Sequence, residues 1–363
     1  MKAPALKWIR KHLQTDEVRI PIQTASAVFL AYFATSFFME VEDVSWGVFS
    51  ALFVVQASIG GTIGAALGRI AGAALGAVIA VALVMLLGTE GWDTLIALLA
   101  GVGIMSFLAA KWPVLAYGLV TVAIIAVAPD FYIVEGALKK VLAIAIGSSC
   151  GMVAAFAVFP VLARRTEQEH LATALRNCGD YVLECTTCLV RDKRDKDRKA
   201  QNAIQRSIEQ ARLMAREARI EEKTPAMGLS PFSQALLPEI ERFAYTLTLV
   251  DRFSDKSISD MRDDDKKALL ELAGTVRNCL EEIADAVEAG KPCQEIDDVE
   301  KVYRAFEEQV DASIKHGGFP VEDEEHMVSI KSAYGSVLSN LAELARQARG
   351  RPHPAGPGQP QKP

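Results

Sequence analysis

The sequence predicts an all-α, polytopic membrane protein: six transmembrane helices followed by a cytoplasmic helical bundle. Three observations carry that prediction. The chain changes character near Pro160, apolar with sparse charge before it and dense in mixed-sign charge after it. Six apolar runs precede the change, several of only about 17–19 residues, just sufficient for a hydrocarbon core of about 30 Å. The third run holds a ladder of glycines, Gly60, Gly64, Gly68, Gly72 and Gly76, one at every fourth position. Four residues advance a helix by about 400°, so the ladder winds slowly along one face where another backbone can come close. In a soluble helix each glycine would cost roughly 0.8–1.0 kcal/mol relative to alanine. In lipid an unsatisfied backbone is the greater danger, so the helix persists and its flat face serves packing.

Taken in order, residues 1–17 form a cytoplasmic N-terminal segment carrying Lys2, Lys7, Arg10 and Lys11. A transmembrane domain follows over residues 18–160. Its runs are Val18–Met39, Val44–Gly60, Thr62–Gly88, Trp92–Ala110, Pro113–Pro129 and Gly136–Pro160. The first is long enough to stay as an anchor rather than act as a cleavable signal. On one side of the membrane fall the N-terminal basic residues, Arg69, Lys111, Arg164 and Arg165. On the other fall Glu40, Glu42, Asp43, Glu90, Asp93, Asp130 and Glu135, which places both termini in the cytoplasm. Lys139 and Lys140, at the outer start of the sixth run, go against that rule. Trp46, Trp92, Trp112, Tyr117 and Tyr132 stand near run ends and read as interfacial anchors. Gln56 is the most polar residue of the second run, suited either to an interhelical hydrogen bond or to a path.

Residues 161–349 read as one soluble helical bundle. Val161–Val190 spaces Leu171, Leu175, Cys178, Val182, Cys185 and Leu189 along one face. Arg191–Lys199 alternates in sign and reads as a solvated turn or helix end. Helices are expected over Asp197–Glu222, Phe232–Phe253 with a kink or restart at Pro238, Asp263–Ala289, Ile296–Lys315 and Glu322–Arg349. Between them lie the loop Lys223–Pro231, with Ser230-Pro231 as a start signal, the stop Gly290 and Pro292, and the break Gly317-Gly318. Residues 350–363 are rich in proline and glycine and read as a disordered tail.

Several functions are set aside by what is missing. No phosphate-binding loop, nucleophile elbow, zinc-protease motif or dinucleotide fingerprint occurs. Neither a catalytic set, a metal site nor a cofactor is predicted, so the chain does not read as an enzyme. Cys185 and Cys188 form a C-x-x-C, but no second Cys/His pair stands at finger-like spacing, and the pair reads as core. The six cysteines form no disulfide framework. No basic tract is interleaved with aromatics, which argues against nucleic acid.

The residues Trp46, Gln56, then Arg69-Ile70-Ala71-Gly72 and Gly76 resemble the fusaric acid resistance/aromatic acid exporter family of bacterial membrane proteins. Phe159-Pro160 closing the sixth run fits as well, while Ala73 stands where the family pattern usually has threonine. The resemblance implies a multi-pass bacterial inner-membrane protein that exports aromatic or other organic acids. Many relatives carry two six-span blocks and this chain has one, which implies a homo-oligomer, a dimer or larger. The partners expected are the lipid bilayer and a small organic anion. Two other readings stay open: a passive anion channel, and a membrane anchor whose cytoplasmic bundle binds a partner.

The substrate path expected from the residues is Arg69, Lys140, Lys139 and Gln56. Arg69 precedes Gly76 by seven residues, and Lys140 precedes Gly147 by seven. Seven residues make about two turns, so each charge shares a face with its glycine. Gly151 extends the packing face of the sixth run, as the ladder does that of the third. Three spans per copy would invert a second copy, so the six runs read as inverted three-helix repeats. Arg69 and Lys140 then stand near opposite edges of one path.

Overall fold

The computed structural model describes residues 15–88, 91–127, 132–191, 199–222, 232–253, 261–293, 298–315 and 321–349. The basic N-terminal segment, Glu90, Asp130, the loop 223–231 with Ser230-Pro231, Gly317-Gly318 and the tail 350–363 lie outside them, as does most of Arg191–Lys199. Among the described residues all regular structure is helical, and it divides into two compact units. One takes the chain through Ala163 and regains it at Glu217; the other holds the rest.

The first unit contains α1 (Asp16–Phe38), α2 (Val41–Val54), α3 (Ile59–Leu87), α4 (Trp92–Lys111), α5 (Gly118–Val127) and α6 (Ile133–Ala157). A 3₁₀ turn, Pro113–Tyr117, precedes α5. α1, α3, α4 and α6 are long and apolar enough to cross a membrane, while Asp43–Val54 and Pro113–Val127 are shorter apolar stretches. Phe37, Leu86 and Phe107 are 84%, 80% and 75% exposed. Water would drive such side chains inward; hydrocarbon does not, so these faces are built for lipid.

Two of the expected boundaries move. Helix α2 stops at Val54, and Gly60 belongs to the next helix rather than to the second run. The reason is a cap: extended Ser58 accepts the Gly61 N–H on Oγ at 2.9 Å and starts α3. A carboxylate reinforces that start. Glu221 Oε1 accepts the Gly60 N–H at 2.9 Å and the Ala163 N–H at 2.8 Å, so one buried acid satisfies two helix beginnings. The fifth run is split, because Pro113 opens a tight turn and the longer helix begins only at Gly118.

Helices α3 and α6 form the centre: α3 packs on α5 and α6, and α6 packs on α1 and α2. The glycines are where backbones meet. Gly68 lies against Val114, Gly72 against Leu115 and Gly118, and a Cβ on Gly76 would stand 2.5 Å from the Gly118 carbonyl oxygen. Gly147 presses on the Gly47 backbone still more closely, and Gly151 on Val54. Gly60 and Gly64 face Glu217 and Ile220. Both glycine pairs, Gly47 with Gly147 and Gly118 with Gly76, involve positions 71 residues apart: Gly47 to Gly118, and Gly76 to Gly147.

The second unit draws on α7 (Ala163–Arg191), α8 (Lys199–Glu222), α9 (Phe232–Phe253), α10 (Asp263–Glu288), α11 (Asp298–Lys315) and α12 (Val321–Ala348). The second unit is not the whole of residues 161–349: residues 161–163 and the last turn of α8, from Glu217, group with the first unit. The apolar faces read from the sequence line one core that includes Leu171, Leu175, Ile240, Phe243, Leu272 and Ile283. Pro238 lies inside a continuous α9. Gly290 takes φ +64°, the left-handed geometry that ends α10 where a side chain would be strained. Buried Asp265 accepts from Ser313 Oγ at 3.0 Å and Gln309 Nε2 at 3.1 Å, and pairs with Arg262 at 3.2 Å.

Cys185 and Cys188 are both buried, and the Cys185 thiol donates to Asp251 Oδ1 at 3.8 Å. Burial pushes the Cys178 and Cys279 thiols up to about 12. At pH 8 a group titrating near 12 is thiolate in only about one molecule in ten thousand. Iodoacetamide at pH 8 is therefore expected to leave Cys178 and Cys279 unmodified in native protein and to alkylate both after unfolding, read by mass spectrometry. Rapid labelling in the native state would show that the bundle opens.

The glycine contacts predict a second outcome. Gly76→Leu and Gly147→Leu force a side chain into backbone and should cut the monodisperse, detergent-extracted protein several-fold, because overpacking costs about 1–3 kcal/mol or more. Gly103, with nothing within 4 Å of its virtual Cβ, should accept leucine without loss. Size-exclusion profiles of the three variants decide it.

Candidate functional site: a cationic aromatic cavity

Arg69 lies ten residues into α3, about 15 Å from its start at 1.5 Å per residue. An arginine at that depth could reach back to the interface along the lipid surface. It does not: the residue is 8% exposed and turned into the unit. Its Nε donates to Ser50 Oγ at 2.7 Å, and Ser50 shares a hydrogen bond of 3.1 Å with Ser148, both serines being fully buried. The guanidinium carbon stands 4.8 Å from the ring centre of Tyr117, 5.5 Å from Phe53 and 6.0 Å from Phe49. Among the described residues no carboxylate is paired with it. The charge is held by a neutral hydroxyl and by ring faces, each worth about 0.5–2 kcal/mol.

These groups wall a cavity of about 210 Å³. Trp46, Phe49 and Phe53 enter from α2, and Arg69 and Ala73 from α3. Tyr117 ends the 3₁₀ turn; Val120, Thr121, Ile124 and Ile125 come from α5, Lys140 and Ile144 from α6. Helix spacing explains the set: 46, 49 and 53 form one face of α2, while 117, 120, 121 and 124 do the same beside α5.

Of the four path residues expected from the sequence, two come together here. Arg69 and Lys140 line the same chamber. Lys139 does not: it points to the surface, 3.4 Å from Glu40 before α2 and 3.3 Å from Glu135 one turn earlier in α6. Gln56 is not inside a helix at all. It stands in the link after α2, exposed, its N–H donating to Thr62 Oγ1 at 3.0 Å, and it is not part of the cavity wall. Ser50, Ser148, Phe49, Phe53, Val120 and Thr121 carry no site signal in the sequence, and Trp46 and Tyr117, whose place near run ends suits an interfacial anchor, line the chamber. In a membrane protein an aromatic near a helix end has two uses, and periodicity alone does not separate them. Among the described residues no three His, Cys, Asp or Glu side chains converge to hold a metal ion.

The profile of the fusaric acid resistance protein family matches residues 20–361, nearly the whole chain. The chain belongs to the fusaric acid resistance protein family. A search of curated proteins finds no match. Family membership and the apolar helices together make this a membrane protein of a transporter family, not an enzyme family. The match spans both compact units, so the helical second unit belongs to the family architecture along with the apolar first.

Proposed function

We propose that the protein exports small organic anions, single-ring aromatic acids among them, across the bacterial inner membrane by secondary transport. The observation that carries this reading is Arg69. It is buried among aromatic rings in an apolar unit, bonded to a serine, and its charge is met by no acid among the described residues. An arginine at the centre of a membrane helix costs roughly 2.5–3.5 kcal/mol on insertion scales. A carboxylate entering the cavity supplies the missing charge, and the aromatic wall accepts the face of its ring. Size supports a small ligand. A cavity of roughly 150 Å³ lined by apolar side chains holds one benzene, and this one, at about 210 Å³, has room for a ring with an acid group.

The charge distribution supports both termini in the cytoplasm, with six crossings made by the four long helices and the two shorter apolar stretches. A homo-oligomer remains part of the proposal. Energy comes from an ion gradient or from the solute itself, as no nucleotide motif is present. An anchor without transport gives Arg69 no task, and a passive channel gives the aromatic box none.

The test is a deletion strain challenged with a panel of aromatic acids and complemented with wild type or Arg69→Gln, after equal membrane abundance is established. Wild type should restore resistance and lower intracellular acid; Arg69→Gln should do neither. Equal resistance from both overturns the proposal.

A further inference from the structure

The wall of the cavity is written twice in the chain. Trp46 and Tyr117 are 71 residues apart, and so are Arg69 and Lys140, and Ala73 and Ile144. The same step carries Ser50, which holds Arg69, to Thr121, and buried Val54 to Ile125. The glycine contacts keep it, Gly118 on Gly76 answering Gly47 on Gly147. One helix earlier the register changes by one: buried Ala27, Ala31 and Thr35 of α1 answer Ala97, Gly101 and Met105 of α4 at a step of 70. Packing agrees, since α3 meets α4 and α5 as α6 meets α1 and α2. A constant step through side chains, backbone contacts and helix pairing is the mark of two three-helix copies, and an odd number of helices inverts the second.

At two positions the copies part. Phe49 and Phe53 of α2 correspond to Val120 and Ile124 of α5. The two phenylalanines stand one turn apart with ring centres at 4.9 Å, and about half of each is left uncovered. Val120 and Ile124 share one face with Tyr117, whose ring is the nearest to the Arg69 guanidinium at 4.8 Å. That face starts beside the place a carboxylate takes and follows the body of an acid bound there. Where a faithful copy would put two more rings, the chamber has a branched aliphatic wall and room in front of it. From this we infer that Val120 and Ile124 set the size of ligand the chamber accepts. The ring of the bound acid fills the space of the rings that the second copy lacks, lying on Phe49 and Phe53 with its carboxylate at Arg69. The inference rests on the reading of the cavity as an anion site. One ring fits that space, and a fused second ring meets Val120 and Ile124. An apolar pocket discriminates against a single surplus methylene by about 10–200-fold, and a fused ring adds more than one carbon.

The experiment is calorimetric titration of the full-length protein in detergent with benzoate and naphthoate. Wild type should bind benzoate about tenfold tighter or more. Val120→Ala and Ile124→Ala should each move that ratio toward naphthoate by about tenfold. Leu119→Ala, which packs elsewhere on α5, should leave the ratio where it is. Val120→Phe puts back a ring that the second copy omits and should weaken benzoate by about tenfold. If it does not fold, the alanine variants carry the test. A wild type indifferent to the second ring overturns the inference. So does a ratio unmoved in both alanine variants or moved equally by Leu119→Ala, and so does a folded Val120→Phe that binds benzoate undiminished. Benzoate binding absent from wild type, or undiminished in Arg69→Gln, overturns instead the reading of the cavity on which the inference rests.

Discussion

Two backbone contacts set the geometry of the membrane unit: Gly76 of α3 against Gly118, and Gly147 of α6 against Gly47. Lipid tails are as apolar as leucine, so helices in a bilayer gain little by hiding apolar surface from their surroundings. What holds them is close packing, and packing is closest where neither partner carries a Cβ. Because each glycine lies about two turns from a cation on the same helix, each contact also fixes where that cation goes. Arg69 and Lys140 are carried to one chamber by the glycines beneath them. The short helices that meet those glycines, α2 and α5, contribute the rings and aliphatic side chains of the wall.

The treatment of the basic residues supports the proposed reading of the chamber as an anion site. Lys139 and Lys140 are adjacent in sequence; Lys139 pairs with Glu40 and Glu135 at the surface, and Lys140 is part of the cavity wall. Arg19, at the start of α1, is fully buried and is answered by Asp16 Oδ1 and the Ala57 carbonyl, each at 2.5 Å. Arg69 receives a serine and three rings. Ring faces stabilise a cation without cancelling its charge, whereas a resident carboxylate would cancel it and occupy the place an anionic ligand needs. The site keeps its positive potential by being held with neutral groups.

Much of this architecture was legible because it rests on composition and period. The division near Pro160, the run of helices and the apolar faces of the second unit follow from hydropathy and from three- and four-residue spacing, which burial in one core preserves. Arg69, Lys140 and the seven-residue step to Gly76 and Gly147 were legible for the same reason. What escaped depends on tertiary partners. Gln56 reads as part of an apolar run, but the Ser58 cap and the Glu221 carboxylate start the next helix and leave it in the link. Trp46 and Tyr117 read as anchors because their position near run ends is compatible with the interface, and only the packing of α2 and α5 turns them inward. The 71-residue step was present in the sequence. Read from Arg69 and Lys140 alone it is one coincidence, and it becomes a pattern only when the contacts select which residues to compare.

The repeat breaks at one end, and the break is informative. Carried forward 71 residues, Gly64 becomes Glu135 and Gly68 becomes Lys139, so the lower ladder has no glycine counterpart in α6. In α3 that lower part is occupied. Glu217 and Ile220 lie on Gly60, Gly61 and Gly64, Ser58 Oγ donates to Glu217 Oε2 at 2.5 Å, and Glu221 binds the first N–H groups of α3 and of Ala163 together. The ladder therefore has two uses along its length, the upper glycines for α5 and the lower for a helix end returning from the second half of the chain. In α6 the equivalent face instead carries the glutamate and lysine that pair at the surface. The two halves are related in their core but fastened differently at their ends. The cavity lies between a half whose lower ladder is covered by Glu217, Ile220 and Glu221 and a half whose matching face carries Lys139 paired with Glu135 and Glu40.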